Sequence, residues 1–230
     1  MRKLLLASLV SVIVVVMTSA QADHAWGNYH WARTANPFNL QLVDSVNGTW
    51  NPLLRAVSTD WTAASVLNTA VKKGEAGLVQ RLACNPINKK IHVCSANYGP
   101  NGWFGLATVF VSNGHIARAT TQVNDFYFAG SFDNNVARRH VLCQEVGHTL
   151  GLDHIHGTGS CMDDDNDTLN NPSYQQPNGH DYAQLSSIYS HTDSFNSSSA
   201  KKATTAPDRV QLIDGELVLT FIHWVDGAAA

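Results

Sequence analysis

The spacing of apolar side chains lays out most of the elements. Residues 40–43 (Leu-Gln-Leu-Val) alternate weakly as a first strand, and Asn47-Gly48 ends it. Leu53, Leu54, Val57 and Trp61 recur at helical spacing, which predicts an amphipathic helix over 50–64 with Asn51-Pro52 in its first turn. Residues 65–71 form a candidate second strand closed by Lys73-Gly74, and 91–94 are strand-like. Two β-rich runs, 105–111 and 115–123, are separated by Ser112-Asn113-Gly114, a hairpin turn. Asn134-Asn135 offers an N-cap for a helix over 136–150. Tyr182, Leu185, Ile188 and Tyr189 give 180–190 the spacing of a last helix. Strands first and helices after suggest an α+β or α/β domain.

The ends of the chain follow different patterns. Arg2 and Lys3 precede a mostly apolar run over 4–17, and Ala20-Gln21-Ala22 follows, as in a secretory signal cleaved after Ala22. That run is shorter than the roughly 20 residues that span a bilayer, so no membrane partner is expected. Residues 24–37 are aromatic and polar without a clear period, which suggests an N-terminal arm. The catalytic-sized domain is expected over 23–193. Residues 194–207, rich in Ser, Thr, Ala and Lys, have a linker composition. In the tail, 208–230, two apolar runs flank Asp214-Gly215 and predict a β-hairpin. The pattern does not say whether this hairpin joins the main sheet.

Composition narrows the class. With 44% hydrophobic residues the chain can bury one sizeable core. The formal net charge of −3 becomes more negative once the signal is removed, so nucleic acid is not an expected partner. Four cysteines in an exported chain imply two disulfides. Cys84 and Cys94 bracket an Asn85-Pro86 turn and are expected to pair across a hairpin, which leaves Cys143 for Cys161.

The chemistry concentrates in residues 144–154, Gln-Glu-Val-Gly-His-Thr-Leu-Gly-Leu-Asp-His. On a helix Gln144 and His148 share one face, and Glu145 lies about 100° round it. Gly151 can adopt the left-handed conformation that ends a helix, so the chain can double back and bring His154 to the same ion. The stretch resembles the metzincin zinc signature H-E-x-x-H-x-x-G-x-x-H with glutamine in the first place. Ser160-Cys161-Met162-Asp163 resembles the methionine turn of the same clan, and the chain looks closest to its secreted, matrixin-type peptidases.

The resemblance implies a twisted, mostly parallel sheet with an upstream helix, a zinc helix, a Met-turn and a C-terminal helix. It implies a secreted Zn2+-dependent endopeptidase, expected to be a monomer acting on protein or peptide substrates. Gln144, His148 and His154 would be the ligands, Glu145 the general base, and Met162 would lie beneath the metal. The chain departs from the pattern in three ways. An amide oxygen is a weaker zinc donor than imidazole, Asp164 stands where some metzincins place a tyrosine ligand, and no cysteine-switch propeptide is visible.

The rival from another class is a zinc-stabilised binding module that has lost turnover. A third reading, an exported domain without metal, makes the motif accidental. His140 lies eight residues before His148, about 12 Å along a helix, too far to share an ion. His156 is the substitute ligand, and His180 reads as structural. Asp163, Asp165 and Asp167 begin like a calcium loop, but Thr168 and Tyr174 stand where it needs glycine and glutamate, so a solvated acidic loop is expected. Triplets starting at Asn47, Asn166 and Asn196 are glycosylation acceptors only in a eukaryotic secretory route.

Overall fold

One mixed sheet of eight strands carries the molecule: β1 (His30–Trp31), β2 (Phe38–Ser45), β3 (Leu67–Lys73), β4 (Lys90–Ala96), β5 (Trp103–Ser112), β6 (His115–Asn124), β7 (Arg209–Ile213) and β8 (Glu216–Trp224). Among the described residues four α-helices accompany it: α1 (Asn51–Thr62), α2 (Leu78–Ala83), α3 (Asn135–Thr149) and α4 (Gly179–Ile188). The computed structural model describes residues 24–27, 29–194, 208–213 and 215–225. The signal with its cleavage after Ala22, residues 195–207 of the expected linker, and the Asn196 triplet lie outside the described residues.

The strand order is β3-β2-β4-β6-β5-β8-β7, and β1 adds to β6 beside β4. The β1–β6, β2–β3, β2–β4 and β4–β6 pairings are parallel, while β5–β6, β5–β8 and β7–β8 are antiparallel. The expected α/β-type fold is therefore present. Asn113 and Gly114, both at positive φ, make the two-residue turn between β5 and β6. α1 turns Leu53, Leu54, Val57 and Trp61 inward, as their spacing requires. α3 starts where the Asn134 side chain accepts the Ala137 amide at 2.9 Å, and it packs on β5, β6 and α1.

Three features depart from the sequence pattern or go beyond it. Cys84 pairs with Cys94 and Cys143 with Cys161, but the first bridge does not cross a hairpin. Cys84 is the left-handed cap of α2, and Cys94 lies in β4. α2 is not read from the sequence: it has six residues, none of them buried, and its apolar Leu78, Val79 and Leu82 lie exposed. The N-terminal arm is an integral part of the core: Trp26, Tyr29 and Trp31 are buried. The indoles of Trp26 and Trp31 donate to the carbonyls of His148 (3.0 Å) and Thr149 (2.8 Å), satisfying the open end of α3. The tail does form its hairpin, and β8 joins the sheet on the outer edge of β5, burying Val218, Leu219, Phe221 and Ile222. Among the described residues no helix is long and apolar enough to cross a membrane.

Candidate metal centre

α3 delivers Gln144, Glu145 and His148 fully buried, and the turn after it returns His154 to His148. Gly151 makes that turn at φ +106°, with the Leu152 amide donating to Gly147 O at 3.3 Å. A side chain at Gly151 would also press on the Tyr29 carbonyl, 2.9 Å from the position of a Cβ.

The two histidines face each other in a defined tautomer. His148 Nδ1 lies 2.9 Å from Leu152 O, and since a carbonyl only accepts, Nδ1 carries the hydrogen. His154 Nδ1 lies 3.3 Å from Asp164 Oδ2, which fixes that ring in the same sense. Both Nε2 lone pairs therefore point into one space, and the two atoms are 3.0 Å apart. Burial, then the nearby His154, holds the His148 pKa well below its usual value, so the ring stays neutral. Two facing lone pairs repel unless a cation sits between them. Ligand atoms on a tetrahedral zinc, with bonds of 2.0–2.1 Å, are roughly 3.3 Å apart. Leu152 O and Asp164 are the outer partners that orient such ligands.

The other two motif residues are held closely by β8. His223 Nδ1 donates to Gln144 Oε1, and His223 Nε2 lies 3.2 Å from Asn166 Oδ1. Gln144 Nε2 is buried without a hydrogen-bond partner among the described residues. Amide oxygen and nitrogen are interchangeable by a half-turn, and that turn would place Oε1, a metal donor, at the unpartnered position. Both Glu145 oxygens are buried without a hydrogen bond as well. Burial raises the Glu145 pKa well above the usual glutamate value, Asp208 adds to the shift, and the Ala107 backbone opposes it weakly. Gly105 makes room for this carboxyl, because a Cβ there would lie 2.4 Å from Glu145 Oε1. Gly105 is opposite His223 in the β5–β8 register, and the Phe221 ring stacks on His148 at 4.7 Å. The tail strand thus roofs the centre.

Beneath α3, Met162 is fully buried and its sulfur packs on Gly147. Its amide donates to Ser160 Oγ at 3.0 Å, and the Ser160 hydroxyl donates to Asp181, a carboxylate that also accepts the Asn178 amide at 2.7 Å and lies 3.1 Å from His24 Nε2. The Cys143–Cys161 bridge ties this turn to the helix. His140 Nε2 lies 2.8 Å from Asp163 O. His156 is exposed, with Nδ1 3.2 Å from Asp164 Oδ1. His180 stacks on His24 at 4.8 Å. Asp163 and Asp165 accept the amides two residues on, at 3.1 and 3.0 Å.

Sequence reasoning missed His223 and the orienting role of Asp164. His223 lies 79 positions from Gln144, and no local pattern joins them. Asp164 had a readable signal, a carboxylate beside the Met-turn where a ligating histidine needs an outer partner.

No protein-family model matches the chain, and no curated sequence matches it. Among solved structures, archaemetzincin from Archaeoglobus fulgidus, crystallised with malonate, is similar over 64% of this chain and 99% of its own, at 15% identity and a TM-score of 0.38. So shallow a likeness carries no functional inference.

Proposed function

We propose that the chain is a secreted zinc-dependent metalloendopeptidase of matrixin type, with Gln144, His148 and His154 holding the ion and Glu145 as general base. The observation that carries this reading is the pair of imidazole nitrogens 3.0 Å apart, each turned inward by a partner on its Nδ1. Zinc, when bound, supplies a Lewis acid that polarises a carbonyl and brings the pKa of water from about 15.7 to near 7. Glu145 then takes a proton from the attacking water and returns it to the departing amine, a role that contributes on the order of 10² to 10⁴ in rate. The substrate is an extended segment of protein or peptide, and the enzyme works as a monomer. Glu145 is sealed under β5 and β8, so a substrate reaches it only once β8 moves off the edge of β5.

The test is elemental analysis together with hydrolysis of an unfolded protein, with and without chelator. Glu145→Ala is expected to keep the metal and lose hydrolysis by about 10² to 10⁴. Gln144→Ala is expected to bind zinc more weakly and Gln144→His more tightly. Equal zinc binding by Gln144→Ala and the parent would remove Gln144 from the ligand set. The second reading, a zinc-stabilised binding module, is favoured by the bond between Gln144 and His223 and by the roof of β8. It takes over if the zinc-loaded parent hydrolyses nothing while Gln144→His does.

A further inference from the structure

A second set of histidines converges where the N-terminal arm meets the end of the domain. The parallel register of β1 and β6 places His30 directly beside His115. The chain leaving α4 returns to the same place, pinned by the Asp193 amide on Arg33 O at 2.8 Å, and contributes His191 and Asp193. Asp193 Oδ1 lies 3.2 Å from His30 Nε2, 3.2 Å from His115 Nε2 and 3.3 Å from His191 Nε2. The Nε2 atoms of His30 and His191 are themselves 3.2 Å apart. Arg33 occupies the other carboxylate oxygen, with Nη1 2.7 Å from Oδ2.

Hydrogen bonding satisfies this convergence only if one ring bonds to another. One carboxylate oxygen has two lone-pair sites and three imidazole nitrogens approach it, so His191 would have to share the His30 ring 3.2 Å away. Protonating both His30 and His191 would place two cations 3.2 Å apart beside the Arg33 guanidinium. Coordination resolves the conflict, because each of these atoms can then turn a lone pair toward one centre. Tetrahedral zinc with bonds of 2.0–2.2 Å sets neighbouring ligand atoms roughly 3.3–3.5 Å apart. The triangle of His30 Nε2, His191 Nε2 and Asp193 Oδ1 has edges of 3.2, 3.2 and 3.3 Å. Imidazole with one carboxylate suits zinc and its neighbours in the transition series better than calcium or magnesium. Arg33 on Oδ2 orients the carboxylate from outside, and the half-exposed His191 leaves the ion a path in.

We propose that His30, His191 and Asp193 bind a transition-metal dication such as zinc, with His115 on the Asp193 carboxylate beside it, at a site separate from the His148–His154 pair. The ion joins residues far apart in the chain and acts as a structural staple. Its benefit passes to the candidate metal centre, since the stapled arm carries the tryptophans that close the end of α3.

The test uses the chain from Asp23 onward, stripped with chelator and dialysed against zinc. Two equivalents are expected in the parent, one in His191→Ala, one in His154→Ala and none in the double variant. His191→Ala changes a half-exposed side chain, so its fold should survive. In the His154→Ala background zinc should still raise the thermal midpoint, and His191→Ala should abolish that rise. The proposal is overturned if His191→Ala holds as much zinc as the parent, or if His154→Ala holds none. A parent that binds one equivalent, lost in His191→Ala and kept in His154→Ala, upholds this site and removes the proposed catalytic one.

Discussion

Gly147 shows how closely single atoms are set beneath α3. A Cβ there would lie 2.4 Å from Met162 Sδ and 2.8 Å from Trp61 Cζ2. Methionine can yield, but the Trp61 ring is held by its bond to Cys143 O at 3.2 Å. Alanine gains about 1 kcal/mol of helix propensity and loses about 1–3 kcal/mol to overpacking. Gly147→Ala is therefore expected to unfold at lower urea and to hold zinc less tightly, and a variant as stable as the parent would show that the Met-turn is not packed this way. The buried titratable groups make a second prediction, for the zinc-free protein. Burial lowers the pKa of His140, His148 and His223 from the usual 6.5, so unfolding takes up protons below that pH. Stability should fall as pH drops through 6.5 toward the folded-state values, seen as a lower urea midpoint at pH 5.5 than at pH 7. Glu145 has the opposite sign: burial raises its pKa well above the usual glutamate value, so stability is lost as pH rises through the folded-state value. Glu145→Gln should then raise the urea midpoint of the zinc-free chain at pH 8, and no rise would argue that burial does not destabilise this carboxyl.

At the scale of elements, β8 is the piece on which most depends. It buries Val218, Leu219, Phe221 and Ile222 against the sheet, and a fully buried side chain of this kind contributes about 1.5–3 kcal/mol as an upper bound. The four together contribute at most about 6–12 kcal/mol, comparable with the whole stability of a domain, about 5–15 kcal/mol. Without it β5 becomes an open edge. A chain ending at Pro207 is expected to lose on the order of 10 °C or more in its thermal midpoint. At low temperature, hydrolysis per folded molecule should rise, because Glu145 and the edge of β5 are uncovered. An unchanged midpoint would show that β8 leaves the sheet in solution, and unchanged hydrolysis would show that it does not guard the site. The β5–β6 hairpin was legible because Asn113-Gly114 writes its own turn, whereas α2 was hidden because six residues are too short a run to establish a period.

At the scale of the whole molecule, local order and chemistry were legible, and long-range closure was not. The spacing of Gln144, Glu145, His148, Gly151 and His154 is enough to specify a helix, a glycine turn and two imidazoles brought together, because each step depends on neighbours within about ten residues. The strands β2 to β8, the helices α1, α3 and α4, and the cysteine partners follow from periods, turn residues and simple pairing, whereas β1 lies in the arm that shows no period. Strand order, the docking of the arm on the end of α3, the meeting of His30 and His115 with His191 and Asp193, and the seating of His223 on Gln144 were decided only by the tertiary structure. Each of these joins segments far apart in sequence. Their energy comes from burial and from hydrogen bonds and ion pairs, which depend on where the chain returns in space and leave no mark on local spacing.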